Sequence, residues 1–248
     1  MALRDWKNMF RRQDSDHASF LGEVAFRHEY LLVYSAYYRE LTPRLQVRFQ
    51  QRLSRILRKL RFYTTPAFPL QPEMVALVAG AIVQVTFGLK RFIPTYFTEI
   101  YITPASYTYP SRQVPMKGDV NLDTGIMTLS WPAVKEGFLI EDDAQNTALH
   151  EVSHCLDLET TFFGKEGYFF DQTHWEDWEK KALQRLANQS RRMVSKRTHH
   201  SKMKELFANT VEIFFERPEA LLQLSPAIYG TMCQLLGQDP RRKESPIL

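Results

Sequence analysis

From Met74 to Leu89 the chain runs sixteen residues without a charge, broken only by Gln84 and Thr86 and closed by Lys90. A segment that is apolar on every side either crosses a membrane or is surrounded by the rest of the protein. A spanning helix needs about 20 apolar residues, so this shorter run predicts a buried core helix. Such a helix needs a thick shell around it, and 248 residues are enough to build one. The composition agrees with that demand. Hydrophobic residues make up 44% and charged residues 24%, with only 10 Gly and 13 Pro, which excludes collagen-like, low-complexity and mainly disordered chains.

Elements on either side follow from periodicity and breakers. Phe20 to Tyr38 is apolar and aromatic with few breakers and reads as helix. Thr42-Pro43 then reads as a cap followed by Pro at the first helical position. Leu45, Phe49, Leu53, Ile56, Leu57 and Leu60 follow at spacings of three and four, an amphipathic helix. FTEIYI (97–102) and IMTLSW (126–131) read as strands, with GDVNL a short candidate between them. Helices are predicted over 143–159, with Asp142 or Asp143 as cap, and over 175–189, 203–216 and 226–237. Residues 161–173 read as an aromatic loop and 191–204 as a basic connector. Helices, then a short sheet, then helices make an α+β domain. The expected organisation is an N-terminal helical segment, 1–63, packed on a catalytic domain, 64–240, with a tail over 241–248, all one structural unit.

Charge and cysteine content narrow the setting. Lys and Arg number 32 against 28 Asp and Glu, a net +4 that is too mild over the whole chain to imply nucleic acid. Cys155 and Cys233 cannot form a disulfide scaffold and suit a reducing compartment. The opening MALRDWKNMFRRQDSDH has no apolar core of a signal peptide, so a cytoplasmic protein with no membrane attachment is the expectation. One stretch departs from the mild average. Between Arg44 and Arg61 stand Arg44, Arg48, Arg52, Arg55, Arg58, Lys59 and Arg61, with no acidic residue. Such a helix can meet an anionic partner, or be a solvated face whose arginine stems cover apolar surface.

The predicted helix 143–159 carries His150-Glu151-Val152-Ser153-His154, the pattern H-E-x-x-H. At about 100° per residue, its two histidines lie about 40° apart on one face and can reach one ion. Zinc takes neutral imidazole nitrogens in tetrahedral geometry, and Glu151 on the edge of that face can take a proton from water. A catalytic zinc keeps three protein ligands and one open position. The third ligand is sought downstream, in KELFANTVEIFFERP. There Glu205, Asn209, Glu212 and Glu216 fall within about 60° of one another on a helical wheel. Any of the three glutamates can serve on that ground alone. Leu206, Phe207, Ile213 and Phe214 make the opposite, burying face.

ALHEVSHCLDLE, followed some fifty residues later by ELFANTVEIFFERP, resembles the Mlc titration factor A (MtfA) family of zinc-dependent peptidases. LQPEMVALVAGAIVQVTFGL, FTEIYITPASY and GIMTLSW extend the resemblance to roughly residues 40–240. The resemblance implies a mainly helical, zincin-like metallopeptidase domain whose small mixed sheet has an edge strand ahead of the HExxH helix. It implies a gluzincin-like site with one zinc per chain, and assigns the third-ligand role to Glu212. It further implies aminopeptidase-type hydrolysis of peptides, a cytoplasmic location and, as an alternative role, sequestration of a transcription repressor. HEVSH stands where the family usually has HEFAH, and SKRTHHSKMK where it has a tyrosine ahead of the glutamate motif.

Supporting roles fall to a few more residues. Asp157 lies on the face of His150 and His154 and is a candidate second-N–H acceptor for a zinc histidine. Glu205, two turns before Glu212, is a candidate for the same duty or for the substrate amine. His199 and His200 are candidates to stabilise the oxyanion in place of the tyrosine. The cleft is expected between the HExxH helix and IMTLSW, where a strand edge pairs with an extended peptide.

Overall fold

The computed structural model describes residues 24–109, 114–163, 169–189, 196–242, 244 and 246–247, with backbone alone at 24–27, 185–189 and 196–201. In chain order these form α1 (Val24–Tyr34), α2 (Ala36–Arg39), α3 (Pro43–Leu57), β1 (Arg61–Tyr63) and α4 (Pro72–Thr86). Then come β2 (Glu99–Thr103), β3 (Gly118–Asn121), β4 (Ile126–Ser130), α5 (Trp131–Leu139) and α6 (Thr147–Phe162). The last are α7 (Gln172–Gln189), α8 (Lys196–Glu216), α9 (Pro218–Leu224) and α10 (Pro226–Leu236). The domain is mainly helical with a small mixed sheet, the α+β architecture read from the sequence.

The uncharged run becomes α4, and every residue from Met74 to Thr86 is buried. Polar groups along it find partners. The Thr86 hydroxyl donates to Ile82 O at 2.6 Å, and the carbonyls of Gln84 and Val85 accept from the Gln238 amide at 3.0 and 3.1 Å. One apolar cluster runs from Leu31 and Phe49 through α4 to Val152 on α6, Phe207 on α8 and Leu236 on α10. Among the described residues no helix is long and apolar enough to cross a membrane.

The sheet order is β1-β2-β4-β3. β1 and β2 are parallel, as are β2 and β4, and β3 runs antiparallel to β4 with Gly118 opposite Leu129 and Asn121 opposite Ile126. IMTLSW is therefore an interior strand, and the edges are β1 and, beside IMTLSW, GDVN in β3. An apolar run such as IMTLS is covered on both faces, which is why it sits inside the sheet rather than at its rim.

Other boundaries differ from the expectation for local reasons. The first helix breaks at Ser35, which turns extended and caps α2 by accepting from Tyr38 N at 3.2 Å. Thr42 makes no side-chain cap, although Pro43 does open α3. β1 has only three residues, too few for an alternation pattern. Pro132, which reads as the end of a strand, also opens α5, since Pro fits a first helical turn. α6 starts four residues later than expected. Asp143 accepts from Gln145 N at 2.9 Å in a local turn, and Asn146 is the cap, accepting from Leu149 N at 3.1 Å. The stretch 196–202, read as connector, is the first third of α8; its residues are polar, so no apolar period announces the helix.

Candidate metal centre

α6 rests on α4 with one side and faces α8 and β3 with the other. Between them lies a cleft of about 720 Å³. β3 contributes Gly118, Asp119 and Val120, α6 contributes His150, Glu151 and His154, and α8 contributes Lys204, Glu205 and Glu212. The strand beside the cleft is thus β3, not the expected IMTLSW (126–131).

The histidines meet as the helical spacing requires. His150 Nε2 and His154 Nε2 are 3.1 Å apart. At that distance the two nitrogens either share an N–H···N hydrogen bond or turn their lone pairs toward one metal ion. Glu205 completes the group, with one carboxylate oxygen 3.5 Å from His150 Nε2 and the other 3.5 Å from His154 Nε2. These three side chains offer ligand atoms that all lie within 4.8 Å of one another. Donors about 2.0–2.1 Å from a tetrahedral zinc would stand about 3.3 Å apart, close to the spacing of the two Nε2 atoms, and Glu205 brings one oxygen toward each histidine.

Glu212, expected as third ligand, lies behind His150 instead. Its Oε2 accepts from His150 Nδ1 at 2.9 Å and its Oε1 from Asn146 N at 2.8 Å. Both oxygens are engaged on the far side of the ring, away from the paired Nε2 atoms. Of the two glutamates it is thus Glu205 that groups with the paired Nε2 atoms, while Glu212 contacts His150 at Nδ1. A seven-residue step leaves both on one helix face, so the wheel could not separate them. The difference lies along the axis, where seven residues span about 10 Å.

The other candidates fall as follows. Asp157 is buried and, among the described residues, accepts from the Thr161 hydroxyl at 3.2 Å, not from a histidine. Burial raises its carboxyl to about 6, against the Lys204 charge. Glu216 leaves the cleft and sits beside Asn146 and Tyr34. His199 and His200 fall in α8, but their side chains lie outside the described residues. Cys155 is a buried free thiol, as expected.

Electrostatics set the histidines apart. For His150 burial works to lower the pKa, but hydrogen bonds to Glu205 and Glu212 overcome it and push the ring up to about 10. His154 is lowered, by burial first and then by the charge on His150. Glu205 is lowered by its bond to His150. Glu151 is buried and raised to about 8, mainly by burial, with Asp119, Glu205 and Glu212 adding to the rise. A carboxylate poised near neutrality can take up and release a proton.

Sequence reading missed three contributors. Gly118 lets β3 close on Glu151: a Cβ there would lie 2.5 Å from the Glu151 carboxyl. A glycine opening a short strand is the available signal for such a close approach. Asp119 lines the cleft and accepts from the Tyr109 hydroxyl at 3.0 Å. Lys204 lines the cleft one residue before Glu205. Nothing in the pattern marked either one.

A histidine pair on one helix, a carboxylate from a second helix and a buried glutamate beside a strand edge are the parts of a metallopeptidase. The chain belongs to the glucose-regulated metallo-peptidase M90 family, whose model matches residues 9–236. This is the family that the sequence motifs resemble. Among curated proteins no match is found.

Proposed function

We propose that the protein is a zinc-dependent peptidase of aminopeptidase type, with His150, His154 and Glu205 as metal ligands. The observation that carries the reading is the convergence of those three side chains, each pair 3.1–3.5 Å apart. When bound, zinc would supply Lewis acidity, lowering the pKa of a water and polarising a carbonyl.

The chain's own residues do the rest. Glu212 accepts the Nδ1–H of His150, which fixes the tautomer and leaves Nε2 free as a donor atom. Glu151 takes the proton of the attacking water and passes it to the leaving amine. The edge of β3 beside it offers backbone groups to an extended peptide. With Glu205 committed to the metal, Asp119 in the cleft wall is the carboxylate that suits a substrate's amino terminus. His199 and His200 stay the sequence candidates for the oxyanion. The chemistry suits a cytoplasmic enzyme acting on short peptides.

Elemental analysis of purified variants tests the ligand set. About one zinc per chain is expected, with Glu205→Ala losing at least tenfold more affinity than Glu216→Ala and Glu212→Ala falling between them. Glu212→Ala as the worst of the three would restore the original expectation. A peptide-library assay tests the base: Glu151→Gln should keep its zinc and lose roughly 10²–10⁴-fold in rate. Full activity in that variant would remove Glu151 from the role.

A further inference from the structure

The basic stretch of α3 borders a second concavity, of about 1090 Å³. Arg48, Arg52, Arg55 and Arg58 line it, with Lys90 and Phe92 from the segment after α4. Among the described residues no acidic side chain lines it. Steps of four, three and three along α3 bring the four arginines to one side over about 15 Å.

These cations are held in place rather than left loose. Arg52 donates to the carbonyls of Thr86 at 2.7 Å and Leu89 at 2.8 Å. Its guanidinium stacks 4.3 Å from the Phe92 ring centre, and that of Arg55 lies 4.7 Å from the same ring. Arg48 lies 5.5 Å from the Phe87 ring centre. Stacking fixes a guanidinium by its face and leaves its N–H edge for a planar or tetrahedral oxyanion. The charges are close enough to oppose one another: Arg52 is lowered to about 10, by burial and then by Arg48 and Arg55. A bound anion would relieve that repulsion.

A neutral feature sits among them. The Gln50 amide nitrogen donates to Tyr38 Oη at 3.0 Å, and Tyr38 Oη also meets His28 Nδ1 at 2.6 Å. Gln50 Oε1 is buried without a hydrogen-bond partner. An unmet buried acceptor is costly, so the groove has a place for a donor as well as for negative charge.

We propose that this groove is a binding site for a small anion carrying at least two phosphate groups. The phosphates meet the guanidinium edges of Arg48, Arg55 and Arg58. A hydroxyl or amino group of the same molecule meets Gln50 Oε1. The site stands apart from the metal centre and does not depend on the peptidase reading. Two sources share the phosphate chemistry, a nucleoside polyphosphate and free inorganic polyphosphate, and only the first also carries the group that meets Gln50 Oε1.

Calorimetric titration of the full chain with ATP and, separately, with sodium tripolyphosphate tests the proposal. Saturable binding of both is expected, weakened at least tenfold in Arg48→Ala/Arg55→Ala. Gln50→Leu should weaken ATP several-fold and tripolyphosphate not at all, which would identify a nucleotide as the ligand. Equal affinity for the two anions, unmoved by Gln50→Leu, would keep the phosphate site and assign it to inorganic polyphosphate. Should the double variant lose its fold by circular dichroism, the exposed pair Arg58→Ala/Lys90→Ala gives the same readout with a several-fold loss. Three results would overturn the proposal. One is no saturable binding of either anion at millimolar concentration. Another is binding that the arginine variants leave unchanged, which would place the anion on a metal in the cleft. The last is polyglutamate or a DNA oligonucleotide binding at tenfold lower concentration than both small anions.

Discussion

α4 and α6 lie against each other in the core, and both are buried along most of their length. They are held there by different means. α4 presents side chains such as Leu77, Val78, Ile82 and Val83, and its contribution is apolar area. α6 also buries Glu151, Ser153, Asp157, Glu159 and Thr160, and each such group needs a partner. Area tolerates rearrangement, whereas a partner is either present or missing. Glu159 is the clearest instance. It is fully buried, and it accepts from the backbone N–H groups of Thr95, Tyr96 and Phe97 and from the Thr95 hydroxyl, at 2.9–3.2 Å. A single carboxylate thereby ties the end of α6 to the loop that leads into β2.

The largest effect should come from breaking that tie. Glu159→Leu leaves three backbone donors without their acceptor and should cost on the order of 3–5 kcal/mol in urea unfolding. A loss below about 1 kcal/mol would mean that the loop is held by its other contacts. Leu77→Ala in α4 makes the matching apolar test. It should cost about 2–4 kcal/mol through transfer and cavity terms, with zinc content unchanged. A fall in zinc content would show that the two helices do not divide structure from chemistry.

The smallest effect concerns pH. Glu216 sits beside the α6 cap with Oε2 buried and unpartnered. Burial raises its carboxyl from the ordinary 4.5 to about 7. The folded state therefore prefers it protonated. The resulting stability is full below pH 4.5 and is lost as pH rises through 7. Glu216→Gln should gain on the order of 1 kcal/mol at pH 8, a Tm rise of roughly 2–4 °C, and gain nothing at pH 4. An equal gain at both pH values would assign the effect to packing instead of charge.

The same contrast explains what the sequence made legible. Periodicity reports on apolar faces, so α3, α4, α10 and the strands β2 and β4 could be read, together with the H-E-x-x-H face. It is silent where a helix begins among polar residues, as at Lys196, or where a proline both ends a strand and starts a helix, as at Pro132. Within the site, the angle around α8 placed Glu205 and Glu212 on the right face. Which carboxylate reaches the Nε2 atoms depends on height along α8 relative to α6. That height is set by packing between two helices far apart in the chain, and no local pattern encodes it. Asp119 was hidden for the same reason, since the register of β3 against β4 turns it toward the cleft.

Glu212 joins two events that a residue list keeps separate. One oxygen holds the His150 ring and the other holds the backbone amide at which α6 begins. A turn of that ring cannot occur without tugging on the origin of its own helix. The imidazole is thus geared to the frame that carries it, and its freedom is spent before any ion or peptide arrives. Whatever settles beside its Nε2 atom meets a ring whose bearing is already set by the start of α6.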